Sequence, residues 1–558
     1  MKKKRSYTSH DLQNEMLQLC ANQVLRSIGA EAKESGPLGI IIDGCQDGDS
    51  EQISLCIRYC MADLTIHEEV VGFYATSKGD AASVSNIILD VLLRLGLEVT
   101  NLVGQAYDGA SVMSGHISGV QERIREKAPM ANYVHCNAHC LDLVLQEAGK
   151  SVPFVRDAIS VVHDIGTFLN ASALRRARFV NVQRKMIEDK RLSEEESIDS
   201  EVFEEHENTE YDVHDVNKPT GVRKLCLTRW LARTPALQDV LRAYDALQVS
   251  FAEFADTKNS NSAKANGIAV MLDKSLTYMG IYVSLLVFRR AEQASRRLQQ
   301  RGIMLRDAMD TVRELRQYYV DHLRTDEKWE EIWQHVISRS TELDLEMPQL
   351  PRIRRPPKKL EQSTTATGPH QFHDVKTKCK VSYFELVDLL VAELDRRFNQ
   401  PGMNKQLVIE RVLTGTVEPN DIDVIMNSYS VFIPSRSSLI RQLESLKDLC
   451  DGDQSNLSDV LSKLRDVHQK KLDVLFKDVL ILARIYLACP VTSVECERSF
   501  SVMRRLKTWL RRTTGQSRLN HELILVVHSA RPVDLDGVIG DFVRLNDQRK
   551  DDFGLNMK

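Results

Sequence analysis

Apolar residues between positions 36 and 150 follow two patterns, one typical of buried strands and one typical of helices. Apolar or alternating runs predict strands, and apolar residues spaced three or four apart predict helices. We expect strands at 38–42, 53–59, 69–75, 102–107 and 132–135, and helices at 81–95, 117–127 and 141–148. The order is βββαβαβα, which predicts a mixed α/β sheet whose first and fourth strands lie side by side.

The chain beyond position 150 has a different pattern, in which helical spacing dominates. Two segments interrupt it: residues 188–215 are crowded with acids and predict a disordered loop, and residues 347–377 predict a linker. Dense apolar residues return near position 471. We therefore predict five parts: a helical lead-in (1–35), an α/β segment (36–150), a helical insertion (151–470), a second apolar segment (471–530) and a tail (531–558).

Composition and charge exclude several classes of protein. The 558 residues are 42% hydrophobic and 27% charged, with a net charge of −4, so a nucleic-acid surface must be a local patch. No run reaches about 18 uncharged apolar residues, and the basic N-terminus lacks the apolar stretch of a secretory signal. The eleven cysteines have no regular spacing, which favours a reducing compartment. A secreted or membrane protein is not expected.

Two aspartates, Asp43 and Asp108, follow the first and fourth predicted strands. Neighbouring strands lie ~4.8 Å apart, so carboxylates at adjacent strand ends can share hard cations such as Mg²⁺. Capping of the following turn is the alternative role, and the pattern alone favours it. A third carboxylate is available from Glu497 or Glu495, between which the residue pattern does not choose.

Five blocks of sequence resemble the hAT-superfamily transposases and related transposase-derived zinc finger MYM-type proteins. They occur in the family's order at 40–43 with 52–59, 104–110, 135–139, 227–230 and 496–501 with 506–508. The resemblance implies an α/β ribonuclease H-like fold interrupted by a large all-α insertion. It also implies a DDE-type triad of Asp43, Asp108 and Glu497 that holds Mg²⁺ or Mn²⁺ and cleaves DNA strands.

The same resemblance implies DNA contacts and self-association. In the family, the Trp of an Arg-Trp pair stacks on a flipped base, and the pair matches Arg229 and Trp230 here. Packing of that Trp in the core of the insertion is the alternative. Residues 471–530 resemble the hAT C-terminal dimerisation region, which implies a homodimer or a higher homo-oligomer.

Clusters of basic residues and a Cys-His pair complete the candidate chemistry. Residues 498–518 hold seven Lys and Arg and no acid, and either contact phosphates or form a solvated helix face. The candidate phosphate contacts are Arg498, Arg504, Arg505 and Lys507. Cys136 and His139 have half the spacing of a zinc site but no matching second pair, so we assign them to positioning. Residues 352–359 predict either a nuclear localisation signal, and hence the nucleus, or a basic linker.

Two functions follow from these residues. The first is a dimerising nuclear protein, derived from a transposase, that binds DNA and retains metal-dependent strand cleavage. The second is a domesticated, non-catalytic scaffold or regulator that acts through dimerisation. The three acids favour the first. The second is favoured by Gly44, where relatives often have Glu. It is also favoured by the absence of the family's N-terminal zinc finger, which makes the lead-in shorter than the corresponding part of the family's proteins.

Overall fold

The computed structural model describes residues 7–47, 50–196, 219–225, 233–257, 261–350, 372–450, 454–507 and 514–553. The chain forms two compact units. The first unit comprises Met1–Cys140, Leu298–Met309 and Phe398–Lys558, and the second comprises Leu141–Arg297 and Asp310–Arg397. Each unit is discontinuous in sequence, because the chain leaves the first unit twice and returns to it.

The first unit is built on a five-stranded mixed sheet. Its strands are β1 (Leu38–Asp47), β2 (Ser50–Cys60), β3 (Ile66–Thr76), β4 (Leu102–Tyr107) and β5 (Asn132–His135). The order across the sheet is β3-β2-β1-β4-β5. The first three strands form an antiparallel meander, and β4 and β5 run parallel to β1. The predicted neighbourhood of the first and fourth strands is confirmed.

Twenty-three α-helices are present in the described part of the chain. The first five are α1 (His10–Ser35), α2 (Ala81–Arg94), α3 (Ser111–Ser114), α4 (Val120–Arg125) and α5 (Asn137–Ser151). Those that follow are α6 (Pro153–Asn170), α7 (Ala173–Glu196), α8 (Thr234–Arg242), α9 (Tyr244–Asp256), α10 (Ser262–Leu272), α11 (Ser275–Leu298), α12 (Leu305–Tyr318), α13 (Asp326–Glu342) and α14 (Val375–Phe398). The last nine are α15 (Asn404–Leu413), α16 (Asp421–Tyr429), α17 (Arg436–Leu449), α18 (Leu457–Gln469), α19 (Lys477–Ala488), α20 (Val494–Leu506), α21 (Gln516–Val527), α22 (Leu535–Arg544) and α23 (Asp547–Asp552). None of these helices is both long and apolar enough to cross a membrane.

The two faces of the sheet are covered by different helices. Side chains of successive strand residues point to opposite faces, and in β1 Ile40 and Ile42 belong to one apolar cluster while Ile41 belongs to another. Residues of α1, α2 and α4, with Ile524 of α21, fill the first cluster, and residues of α20 and α21 fill the second. This double coverage explains why the apolar run of β1 is continuous rather than alternating.

Three predicted elements differ from the structure. The helix expected at 117–127 is the shorter α4, which begins after Gly119. Residues 188–196 of the predicted acidic loop continue α7, because Glu, Lys and Arg are good helix formers; the segment from 197 to 218 lies outside the described residues. The predicted tail contains α22 and α23, and α22 packs against α1.

Candidate functional site

Asp43 and Asp108 lie at the same level on neighbouring strands. The pairing of β1 with β4 ends at the pair Ile41 and Ala106. Asp43 comes two residues after Ile41, and Asp108 comes two residues after Ala106. The backbones of adjacent strands are ~4.8 Å apart. The two aspartates predicted to act together are therefore laterally adjacent at one end of the sheet.

Asp43 does not end its strand as predicted. It pairs with Ser54 of β2, and β1 continues to Asp47 because the β1–β2 hairpin extends beyond the last residue of β4. An oxygen of Asp43 accepts a hydrogen bond from the Gly44 N–H at 3.0 Å. An oxygen of Asp108 accepts one from the Ala110 N–H at 3.2 Å. Asp108 therefore does fill the turn-capping role that was the alternative interpretation.

Helix α20 is held against the sheet by small polar contacts within an apolar face. The Cys496 thiol donates to the Ile41 carbonyl, with sulfur and oxygen 3.4 Å apart. The hydroxyls of Ser499 and Ser54 share a hydrogen bond of 2.8 Å. These contacts fix the first turns of α20 beside β1 and β2, close to the position of Asp43.

The loop that leads into α20 lies directly on two strand glycines. A Cβ atom at Gly39 of β1 would overlap the Ala488 carbonyl oxygen, and one at Gly104 of β4 would lie 2.8 Å from Cδ of Pro490. Glycine is required at both positions because the two backbones approach so closely. This close approach determines where α20 begins above the sheet.

Glu497 lies in the first turn of α20 and is half-buried. The Ser493 N–H donates to the Cys136 sulfur at 3.1 Å, which places the start of α20 over the end of β5. Burial, and next the nearby Glu497 carboxylate, raise the pKa of the Cys136 thiol to about 11. Burial and the Asp43 carboxylate likewise raise the pKa of the Cys496 thiol. Glu497 therefore lies near Cys136, and Asp43 lies near Cys496, at the first turn of α20.

Glu495 has a structural role that the sequence did not reveal. Its carboxylate is buried and pairs with Arg301 at 2.7 Å and with Arg498 at 2.8 Å. Because its oxygens are used by these two guanidinium groups, Glu495 is a poor candidate for the third acid.

The end of β5 is fixed by residues from distant parts of the chain. Gln400 accepts from the His135 N–H at 2.7 Å and donates to the His135 carbonyl at 3.0 Å, so it pairs with β5 as a strand would. The imidazole of His135 lies against Gly109, directly after Asp108. The ring of His139 is 5.5 Å from that of His135. Neither Gln400 nor Ser493 carries a sequence signal that relates it to this site.

The donor set has the chemistry of a hard-cation site. Carboxylate oxygens are preferred ligands of Mg²⁺, which is commonly held by one or two carboxylates together with substrate phosphates. Asp43 and Asp108 supply two such groups on adjacent strands. Among the residues that the structure describes, no group of three or more His, Cys, Asp or Glu side chains is placed to hold a metal ion.

The predicted basic residues of α20 fall into two groups. Arg498 is engaged with Glu495 and with the Gln299 carbonyl, and Lys507 pairs with Asp47. Arg504 and Arg505 are exposed. The other predicted DNA contacts, Arg229 and Trp230, and the basic segment 352–359 lie outside the described residues.

Two segments of the chain match families of known proteins. Residues 1–119 match the family described as the RNase-like domain of ZMYM1/FAM200 proteins. Residues 442–530 match the hAT family C-terminal dimerisation region. The chain thus combines an RNase-like segment with a hAT dimerisation region, which confirms the resemblance to hAT transposase-derived proteins.

Two curated relatives are similar to nearly the whole chain. The 52 kDa repressor of the inhibitor of the protein kinase from Mus musculus is 21% identical over 558 residues, covering 97% of this chain and 68% of the relative. The protein of the same name from Homo sapiens is 20% identical, with the same coverage of both chains.

Proposed function

We propose that this chain is a self-associating, transposase-derived protein whose sheet carries a divalent-cation site for nucleic-acid phosphates. The observation that carries the proposal is the position of Asp43 beside Asp108, with Glu497 in the first turn of the helix that covers the same end of the sheet. Carboxylates on two adjacent strands and a third acid on a helix are the arrangement that the resemblance implies for a DDE-type site.

A ribonuclease H-like fold is part of the proposal. The support is a five-stranded sheet of order β3-β2-β1-β4-β5, with an antiparallel meander followed by two parallel strands. The match of residues 1–119 to an RNase-like domain is consistent with it. The second unit begins in the sequence shortly after β5, which is where the resemblance implies an insertion.

Asp43 and Asp108 would hold Mg²⁺ or Mn²⁺ together with substrate phosphates. Glu497 is the third acid that the resemblance implies, but in the described residues the three carboxylates do not form a three-ligand group. The bound ion would act as a Lewis acid and stabilise charge on the phosphate oxygens. The chain's own contribution is positional: Cys136 and Cys496 anchor the first turn of α20, and the glycines under the preceding loop allow that helix to begin above the carboxylates.

Mn²⁺ binding measured by calorimetry tests the cation site. We expect saturable binding by the wild type and at least about tenfold weaker binding by Asp108→Asn, because removing a ligand charge weakens a hard-cation site. Asp90→Asn is the matched control, since Asp90 is an exposed acid on α2 that pairs with Arg94 at 2.6 Å. It should bind Mn²⁺ as the wild type does.

Equal affinities in all three proteins at millimolar Mn²⁺ would contradict the cation site. That result would favour the alternative function, a non-catalytic scaffold or regulator. Gly44 and the absence of a three-ligand cluster among the described residues support this alternative. The curated relatives are themselves named as repressors.

The proposed homodimer rests on the matched dimerisation region and on its exposed residues. Leu519, Leu523 and Ile524 of α21 are buried within the monomer, where they cover the sheet. They are therefore not available to a partner. Val474 and Leu475, in the turn before α19, are 86% and 63% exposed.

Two features fix the geometry of that apolar turn. Lys471, two residues after the end of α18, has a φ of 59°, the left-handed conformation common after a helix C-terminus. His468 Nδ1 lies 2.9 Å from Asp473 Oδ1, which ties the turn back to the helix. A fixed, exposed apolar pair inside the matched region is a suitable contact for a second copy of the chain.

DNA contact by Arg504 and Arg505 and a nuclear location also belong to the proposal. Both arginines are exposed near the end of α20, and their sequence-independent contacts with phosphates would weaken as salt rises. The nuclear location rests on the sequence of residues 352–359 alone. Both stay predictions.

A further inference from the structure

Helix α7 of the second unit carries an unusual excess of positive charge. Between positions 175 and 191 it has seven Arg and Lys residues and only two acids. One face of the helix is fixed, because Phe179, Val182 and Gln183 are buried and the helix packs against α6 and α9. The rest of the charged surface is therefore held in a defined orientation within this unit.

Three exposed cations of α7 lie within an arc of about 120° around the helix axis and form a surface that we name the basic face. They are Arg178, Arg184 and Lys185. None of them has an ion pair in the described part of the chain. Other exposed cations of the same unit do: Arg296 pairs with Glu292 at 2.7 Å, and Arg316 pairs with Asp395 at 2.7 Å.

Arg175 provides a contrast within the same helix. Its guanidinium lies over the Phe168 ring at 4.1 Å and donates to the Phe168 carbonyl at 3.1 Å. That side chain is used for packing. The cations of the basic face have no such role, so their charge is directed at solvent or at a partner.

The spacing of the basic face suits a polyanion with regular charges. Arg178 and Lys185 are seven residues apart, which is about 10.5 Å along the helix, and Arg184 lies beside them. This length corresponds to roughly three nucleotides at 3.4 Å per nucleotide along one strand of duplex DNA. Arginine guanidinium groups match phosphate oxygens in a two-pronged geometry.

We propose that the basic face of α7 binds the phosphate backbone of nucleic acid independently of sequence. The only aromatic residue of α7, Phe179, is buried, so the face offers no ring for stacking on a base. Contacts to phosphates fix position and carry no sequence information. The partner class, nucleic acid, rests on the proposed function. The basic face adds a binding surface on the second unit.

Fluorescence anisotropy with a labelled DNA duplex of mixed sequence tests the basic face. The variant Arg178→Gln/Arg184→Gln/Lys185→Gln should bind at least about tenfold more weakly than the wild type. Its slope of log K against log salt, between about 50 and 200 mM, should fall by roughly 2–3, since each lost phosphate contact removes about 0.9. All three positions are exposed, so the melting temperature should not change.

The matched control removes the same charge from paired cations of the same unit. Arg296→Gln/Arg316→Gln/Arg324→Gln should keep the affinity and salt slope of the wild type. Equal binding by the basic-face variant and the wild type would overturn the proposal. So would equal losses in the two triple variants, because net charge alone would then explain the effect.

An acidic protein segment is the competing occupant, and the chain has one in its sequence between 199 and 215. In the variant Glu204→Gln/Glu205→Gln/Glu207→Gln, DNA affinity should equal or exceed that of the wild type. Failure of both this variant and the wild type to bind duplex DNA would overturn the proposal. Mn²⁺ binding should be unchanged in the basic-face variant, so failure of the cation site is separately visible.

Discussion

Replacing Leu523 with aspartate is expected to unfold the first unit rather than to give a folded monomer. Leu523 is completely buried in the apolar cluster between α20, α21 and the sheet. Truncating a buried leucine costs about 2–5 kcal/mol, and a carboxylate without a partner adds a desolvation cost. The sum approaches the ~5–15 kcal/mol that stabilises a typical domain. Urea unfolding followed by circular dichroism measures the loss.

Val526→Asp, on the same helix, is the matched control. Val526 is partly exposed, so its substitution should change the free energy of unfolding by less than about 1 kcal/mol. A soluble, folded monomer of Leu523→Asp would contradict the expected result. It would mean that the apolar residues of α21 face a partner instead of the sheet.

Arg58→Met is expected to destabilise the first unit by about 3–5 kcal/mol. Arg58 is 1% exposed and pairs with Glu68 at 2.7 Å, while its other guanidinium nitrogens donate to the carbonyls of Leu487 and Ile303. Methionine keeps much of the side-chain volume and removes the charge. The buried Glu68 carboxylate is then left without its cation, which is the costly state of a broken buried pair.

Two further variants separate the charge effect from packing. Arg26→Met breaks an exposed pair with Asp541 and should cost less than about 1 kcal/mol in chemical unfolding. The double variant Arg58→Met/Glu68→Met removes both buried charges and should be more stable than Arg58→Met alone. If the double variant is as unstable as the sum of its single changes, the uncompensated carboxylate is not the cause.

The sequence predicts the strands of the sheet well and the short helices poorly. Strands at 102–107 and 132–135 have their predicted bounds. β4 is buried along its whole length, as parallel strands of a covered sheet are. β1 exceeds its apolar run by several residues, since its last residues are held by pairing with β2 rather than by burial. The return of Leu298–Met309 to the first unit has no local signal, because it depends on tertiary contacts.

In the candidate site, too, local sequence patterns predict some features, and contacts between distant residues determine the others. The positions of Asp43 and Asp108 follow from strand order and register, which an apolar pattern can indicate. The choice between Glu495 and Glu497 depends on Arg301, almost 200 residues earlier in the chain. The pairing of Gln400 with His135 spans 265 residues. Neither contact can be inferred from residue spacing.

The central claim, self-association through the matched dimerisation region, is tested most directly by the mass of the whole chain in solution. Light scattering over a range of concentrations should give the wild type twice the chain mass of 63.4 kDa. The variant Val474→Asp/Leu475→Asp should give the mass of a single chain with an unchanged melting temperature, because both side chains are exposed. A wild type that stays at the single-chain mass at every concentration would contradict the claim.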